Sequence, residues 1–68
     1  MKLVKKLVRE NQVGSQLEAV IYEDGPKLSI KYYVNGAFKI EESFQGKDVA
    51  YAEQHANNWL SNVGMLNG

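Results

Sequence analysis

Residues 27–44 read KLSIKYYVNGAFKIEESF, and this stretch decides the fold. Apolar and polar side chains alternate on both sides of Asn35-Gly36, which is the period-two pattern of half-buried strands. An Asn-Gly pair supplies the positive φ angles that a type I′ hairpin turn requires. The pattern therefore predicts two strands, at about residues 27–35 and 37–44, that form a hairpin.

A second hairpin is predicted upstream of the first. Residues 16–24 alternate in the same way, and the Asp-Gly-Pro cluster at 24–26 is typical of a turn. The apolar residues within about 2–9 fit a helical stripe as well as a strand. Two valines and the glycine–serine break that follows favour a strand, and we expect residues 11–15 to form its turn.

The C-terminal part of the chain has a helical pattern. Its apolar side chains recur at spacings of three and four residues, and they are Val49, Ala52, Ala56, Trp59 and Val63. Asp48 suits the N-cap of this helix, and Gly64 suits a glycine C-cap. We therefore predict a helix over about residues 48–63.

These elements make a single α+β domain over residues 1–68, an antiparallel β-meander of three to four strands with one C-terminal α-helix packed on one sheet face. The face expected to lie under the helix carries Leu17, Ala19, Ile21, Leu28, Ile30, Tyr32, Val34, Phe38, Ile40 and Phe44. Glu42 is in phase with this face. Because a buried unpaired carboxylate is costly, we expect the strand to bulge or end there.

Composition excludes several classes of site. The chain has 68 residues and no cysteine, which removes disulfides and thiolate metal sites, and one histidine cannot build a zinc site alone. A chain this short has marginal stability unless packing is very regular or the protein oligomerises. It contains neither a signal peptide nor an apolar run long enough for a membrane span, so we expect an intracellular, cytoplasmic protein.

Charge is balanced overall but not along the chain. Eight basic residues match eight acidic ones, which argues against a strong non-specific nucleic-acid binder. Residues 1–10 hold four basic residues and one acidic residue, whereas residues 41–68 hold four acidic residues and one basic residue. We expect the two ends to attract each other in the fold; the alternative is that the basic segment meets an acidic partner.

Few residues are available for catalysis. His55 is the only histidine, and Tyr51 lies one helical turn before it, so the two side chains are expected to touch. Glu41 and Glu42 are adjacent in a strand and point to opposite faces, so they cannot form a carboxylate dyad. The sequence has no nucleophile elbow and no glycine-rich phosphate loop. We predict a non-enzyme without cofactor or metal.

The sheet face opposite the helix is the predicted binding surface. Its proposed partner-binding residues are Val20, Tyr22, Lys31, Tyr33 and Lys39, with Glu18 and Glu41 on the same face. Tyrosine buries a large area and keeps a polar end, which suits interfaces. Three interpretations stay open: a solvated face, self-association as a homodimer through this face or an edge strand, and contact with another macromolecule.

Nucleic-acid binding is the alternative function. Some DNA-binding domains, including plant ethylene-response-factor domains and the arm-binding domains of phage integrases, place a three-stranded sheet in the major groove with a helix behind it. Their sheet faces are rich in arginine, whereas this chain has a single arginine and glutamates on the face. A weak binder would use the sheet face together with the basic N-terminal strand, whose cations are Lys2, Lys5, Lys6 and Arg9.

The run LEAVIYEDG…LSIKYYVNGAFKIEESFQGKDVAYAEQHANNWL resembles small uncharacterised proteins of T-even-like tailed phages that infect marine cyanobacteria. The shared features are a basic N-terminal strand, an IY-x-D-type turn, a YY/YF strand, an E-x-F step and a YAE-x-x-A-x-NW helix. The resemblance covers about residues 3–60. It implies a phage-encoded accessory protein in the host cytoplasm that binds a host component, and it implies no catalytic residue.

Overall fold

The computed structural model describes residues 2–10 and 14–67, with side chains as far as residue 61. The elements are β1 (Lys2–Glu10), β2 (Gln16–Asp24), β3 (Lys27–Val34), β4 (Ala37–Gln45) and α1 (Val49–Asn67). All neighbouring strands pair antiparallel in the order β1-β2-β3-β4, and α1 packs on one face of the sheet. The α+β meander with a C-terminal helix is therefore confirmed.

Two tight turns hold the central hairpins in register. Asn35 and Gly36 have φ values of 52° and 83°, as a type I′ turn requires. The Asn35 N–H donates to the Gln16 carbonyl at 2.7 Å, and the Gln16 N–H donates to Asn35 Oδ1 at 2.8 Å. Gly25, with φ of 63°, precedes Pro26 in the other two-residue turn, where a glycine in the first central position is characteristic of type II′.

The basic N-terminal segment is a strand, as its valines favoured. Its pairing with β2 shifts between Leu3 and Lys5, which marks a β-bulge. The bulge changes which side chains face the helix, and the sequence alternation of this segment gives no sign of it. The turn expected over residues 11–15 falls mainly on residues 11–13, which lie outside the described part of the chain.

The core lies between the helix and the three strands β1, β2 and β3. Its buried members are Leu17, Ala19, Ile21, Leu28, Ile30, Tyr32, Ala52, Ala56 and Leu60. The small side chains of Ala52 and Ala56 allow the helix backbone to approach the sheet closely. Leu60 continues their spacing of four residues and was missing from the predicted stripe, whereas the side chain of Val63 falls outside the described ones.

Two predicted core residues of β4 are exposed. Phe38 is 56% exposed and lies opposite Tyr33, on the sheet face away from the helix. A bulge between Tyr32 and Tyr33 inserts Lys39 as an extra residue, and one extra residue moves the following alternation to the other face. Ile40 does lie on the helix side, but it is 48% exposed because the helix backbone lies over β1 to β3 and stops short of β4.

The helix begins as predicted and ends later. Asp48 Oδ1 accepts a hydrogen bond from the Tyr51 N–H at 2.9 Å, which is the N-cap interaction. At the other end the helix continues through Gly64 to Asn67, so the predicted C-cap at Gly64 is wrong. A glycine inside a helix costs about 1 kcal/mol relative to alanine, which weakens a helix without ending it.

The expected attraction between the ends of the chain is present between β1 and α1. Lys5 Nζ lies 3.0 Å from Glu53 Oε1, and Arg9 Nη2 donates to Asn57 Oδ1 at 2.9 Å. The first contact is an exposed ion pair, which contributes at most about 1 kcal/mol, and the second is a hydrogen bond to a neutral amide. These contacts therefore add little to the stability of the fold.

Candidate functional site

We call the sheet surface opposite α1 the open face. Residues directly opposite each other on paired strands share a face, so the pairing defines three rows that cross it. In strand order the rows are Leu3–Tyr22–Ser29–Ser43, Lys6–Val20–Lys31–Glu41 and Val8–Glu18–Tyr33–Phe38. No element within residues 2–10 and 14–67 packs on this face.

The five predicted binding residues differ in their position and exposure on this face. Tyr22, Lys31 and Tyr33 lie on it and are half-buried. Val20 also lies on it but is only 6% exposed, so its place in an exposed patch is a correction. Lys39 is exposed as the extra residue of the β4 bulge and belongs to none of the three rows.

Long polar side chains close over the middle of the open face. Lys31 Nζ lies 5.1 Å from the centroid of the Tyr22 ring, in a cation–π contact. Lys6 Nζ lies 3.5 Å from Glu18 Oε2, next to the buried Val20. These contacts explain how Val20 is removed from solvent without a second layer of structure, because the alkyl stems of lysine cover apolar surface while the charges stay in water.

The exposed apolar area lies at the two margins of the open face. On β1, Leu3 is 57% exposed and Val8 is 48% exposed; on β4, Phe38 is 56% exposed. The Phe38 ring packs edge-on against Tyr33, with centroids 5.9 Å apart. None of these three residues was among the predicted binding residues. Strand alternation could have placed Val8, whereas Leu3 and Phe38 lie next to bulges that no local pattern indicates.

The basic residues of β1 divide between the two faces. Lys2, Lys5 and Arg9 pair with residues of β2 that face the helix, and two of the three contact α1. Lys6 is the β1 cation in the open-face rows, and it is already paired with Glu18. The combined basic surface that the nucleic-acid alternative requires is therefore not formed on one face.

A second cluster of polar and aromatic side chains joins β4 to α1. Glu42 faces the helix side, opposite Ile30, and β4 continues through it, so the expected bulge or strand end at this residue is wrong. Its Oε1 accepts a hydrogen bond from the Tyr32 hydroxyl at 3.0 Å and lies 3.2 Å from His55 Nδ1. The Glu42 carboxylate can therefore lie on the inner face, because Tyr32 on β3 and His55 on α1 contact its oxygen.

Aromatic rings pack against Tyr32 and His55, the two partners of this carboxylate. Tyr32 stacks on Trp59 with centroids 4.2 Å apart, and the Phe44 ring lies 5.3 Å from Tyr51 and 4.9 Å from His55. Tyr51 and His55 are 5.6 Å apart, which confirms the predicted contact between them. Since the helix backbone does not reach β4, the side chains of Phe44 and Glu42 make the connection between the last strand and the helix.

The Tyr32 hydroxyl is held in its protonated form. Burial, followed by the hydrogen bond and the negative charge of Glu42, raises the pKa of Tyr32 well above its usual range. The hydroxyl therefore serves as a donor to the carboxylate. Among the described side chains, no buried polar atom lacks a hydrogen-bond partner, which is typical of a structural network.

Comparison with known proteins identifies no relative: no protein-family model, no curated protein and no solved structure matches the chain. The resemblance to phage proteins thus stays a prediction. In the described part of the chain, no helix combines the length and apolar character needed to cross a membrane. Within the same residues, no three His, Asp or Glu side chains form a group that could hold a metal ion.

Proposed function

We propose that this chain is a non-catalytic protein-interaction module and that it binds its partner through the open face. The observation that carries the proposal is the apolar area at the margins of that face, where Leu3, Val8 and Phe38 are each about half exposed. The described elements leave these side chains in water. A partner that covers the face would bury them and supply the apolar burial that a 68-residue chain lacks.

The composition of the face supports a protein as the partner. Tyr22 and Tyr33 offer flat, rigid rings with polar ends, which are favourable at protein interfaces. The charged groups in the rows are two lysines and two glutamates, so the face has no excess of positive charge for nucleic acid. The Tyr32–Glu42–His55 cluster serves a structural role in this proposal, because its polar groups are bound to one another.

Site-specific photo-crosslinking tests the proposal without knowledge of the partner. The crosslinking amino acid p-benzoylphenylalanine is placed at position 38 or at position 40, and the cells that encode the chain are irradiated. Phe38 and Ile40 form a matched pair, because both are exposed apolar residues of β4 that lie on opposite faces. We expect protein adducts from position 38, on the open face, and few or none from the control position 40.

The mass of the adduct identifies the type of partner. An adduct at twice 7.7 kDa contains two copies of the chain, and any other mass contains a different protein. Both results support binding through the open face. Adducts that form equally at the two positions, or a complete absence of adducts at position 38, would contradict the proposal.

A further inference from the structure

We infer that the partner of the open face is a second copy of this chain, stacked face to face about a two-fold axis parallel to the strands. This inference rests on the proposed use of the open face for protein binding. Rotation about such an axis sets β1 of one copy against β4 of the other and keeps the three rows level. The pairing of the strands then determines which side chains meet.

The charges of the two edge strands are complementary under this rotation. The middle row begins with Lys6 on β1 and ends with Glu41 on β4. Stacking therefore brings Lys6 of each copy opposite Glu41 of the other, and the symmetry forms this ion pair twice. The Lys6 side chain is 55% exposed beside its own Glu18, so its ammonium group can contact both carboxylates. The rows also contain Lys31 and Glu18, so each open face carries two positive and two negative charges. Because the net charge of these rows is zero, two stacked faces have no net electrostatic repulsion.

One pair of the apolar margin residues is complementary as well, whereas the third, Leu3, lies opposite Ser43 of the other copy. The third row begins with Val8 and ends with Phe38, which are 48% and 56% exposed. The same rotation places each Val8 against the Phe38 ring of the other copy. Two apolar contacts at one end of the face and two ion pairs across its middle thus follow from a single symmetry operation, and this agreement favours a second copy over an unrelated protein.

The size of the face fits a reversible dimer. Four strands spaced about 4.8 Å apart and about 30 Å long cover on the order of 600 Å² per copy. A total of about 1,200 Å² lies at the lower end of specific interfaces, where weak and transient associations are found. The middle of the face is already closed by Lys31 and Tyr22, which limits the apolar gain further.

Charge reversal tests the inference, with sedimentation equilibrium of the purified full chain at low ionic strength as the readout. Lys6→Glu and Glu41→Lys each create two repulsive pairs in a dimer, and we expect each to raise Kd at least about tenfold. An equimolar mixture of the two variants forms a heterodimer with one original pair and one inverted pair. Its Kd should return to within about threefold of the wild-type value.

Lys2→Glu provides the matched control, because it reverses a charge on the same strand at a position that pairs on the helix side. We expect it to dimerise like the wild type. Circular dichroism establishes folding of each variant. Should a reversal unfold the chain, Lys6→Gln and Glu41→Gln take its place, with a Kd that depends less on salt than the wild-type Kd.

Two results would overturn the assignment of a second copy: a mixture of Lys6→Glu and Glu41→Lys that stays monomeric, or a wild-type chain that is monomeric up to about 1 mM. Neither result affects the photo-crosslinking outcome. An adduct with a different protein at position 38 would then show that the open face is a binding surface whose partner is not a second copy of the chain.

Discussion

Tyr32→Phe removes one hydroxyl from the junction between the sheet and the helix, and its effect on stability should depend on pH. Tyr32 is fully buried, and its hydroxyl donates to Glu42 at 3.0 Å. A hydrogen bond to a charged group contributes about 1.5–3 kcal/mol. Because the Glu42 side chain is 36% exposed, the lower value applies, and the variant should lose about 1.5 kcal/mol of unfolding free energy at pH 8.

At high pH this difference should disappear. The unfolded chain releases the Tyr32 proton near pH 10, whereas burial and Glu42 keep the folded-state pKa far above that value. The contribution of this group to stability is therefore complete below about pH 10 and is lost as the pH rises further. One pH unit corresponds to about 1.4 kcal/mol, so wild type and variant should have nearly equal stability at pH 11.

Urea unfolding followed by circular dichroism at pH 8 and pH 11 measures both values. Tyr33→Phe serves as the control, since it removes a tyrosine hydroxyl on the open face, away from Glu42. A Tyr32→Phe variant as stable as the wild type at pH 8 would show that the hydroxyl does not stabilise the fold through Glu42. If the stability difference between wild type and Tyr32→Phe stays constant up to pH 11, the folded chain does not hold the Tyr32 proton more tightly than the unfolded chain.

Three further substitutions test the fold. Leu60→Ala should cost about 2–4 kcal/mol in urea unfolding, because Leu60 is 2% exposed in the core; a loss below about 1 kcal/mol would show that the helix does not pack there. Asp48→Ala should lower the free energy of unfolding by about 1 kcal/mol, because it removes the N-cap hydrogen bond. Asp48→Asn keeps an acceptor oxygen and should retain most of that stability. Gly36→Ala should lower the thermal midpoint, because φ of 83° is unfavourable for alanine, whereas no change would argue against the type I′ turn.

Local signals predicted the elements of this fold well. The Asn35-Gly36 turn and the alternation around it predicted both strands of the central hairpin, because both are local signals. The register that the turn implies holds for the two pairs beside it and shifts at the bulge between Tyr32 and Tyr33. Asp48 correctly indicated the start of the helix, because an N-cap contact involves only a residue three positions further along the chain. The end of the helix was wrong, since glycine alone does not terminate a helix that has more chain to continue it.

Face assignments failed where non-local structure decides them. Phe38 moved to the open face because of a bulge that depends on pairing with β3, and Ile40 is exposed because of where the helix crosses the sheet. Val20 is buried by neighbouring side chains, which alternation does not reveal. Glu42 lies on the inner face because it has a partner on the helix, His55. The presence of one histidine in the helix was the signal in the sequence that could have indicated this pair.

The amide chemical shifts of the ¹⁵N-labelled chain on dilution test most directly whether the open face binds a second copy. Spectra recorded from about 1 mM to about 10 µM span the expected dissociation. We expect shift changes at open-face positions of the edge strands, such as Lys6, Val8, Phe38 and Glu41, and none along the buried stripe of α1. Changes centred on α1, or spectra that do not change with concentration, would contradict it.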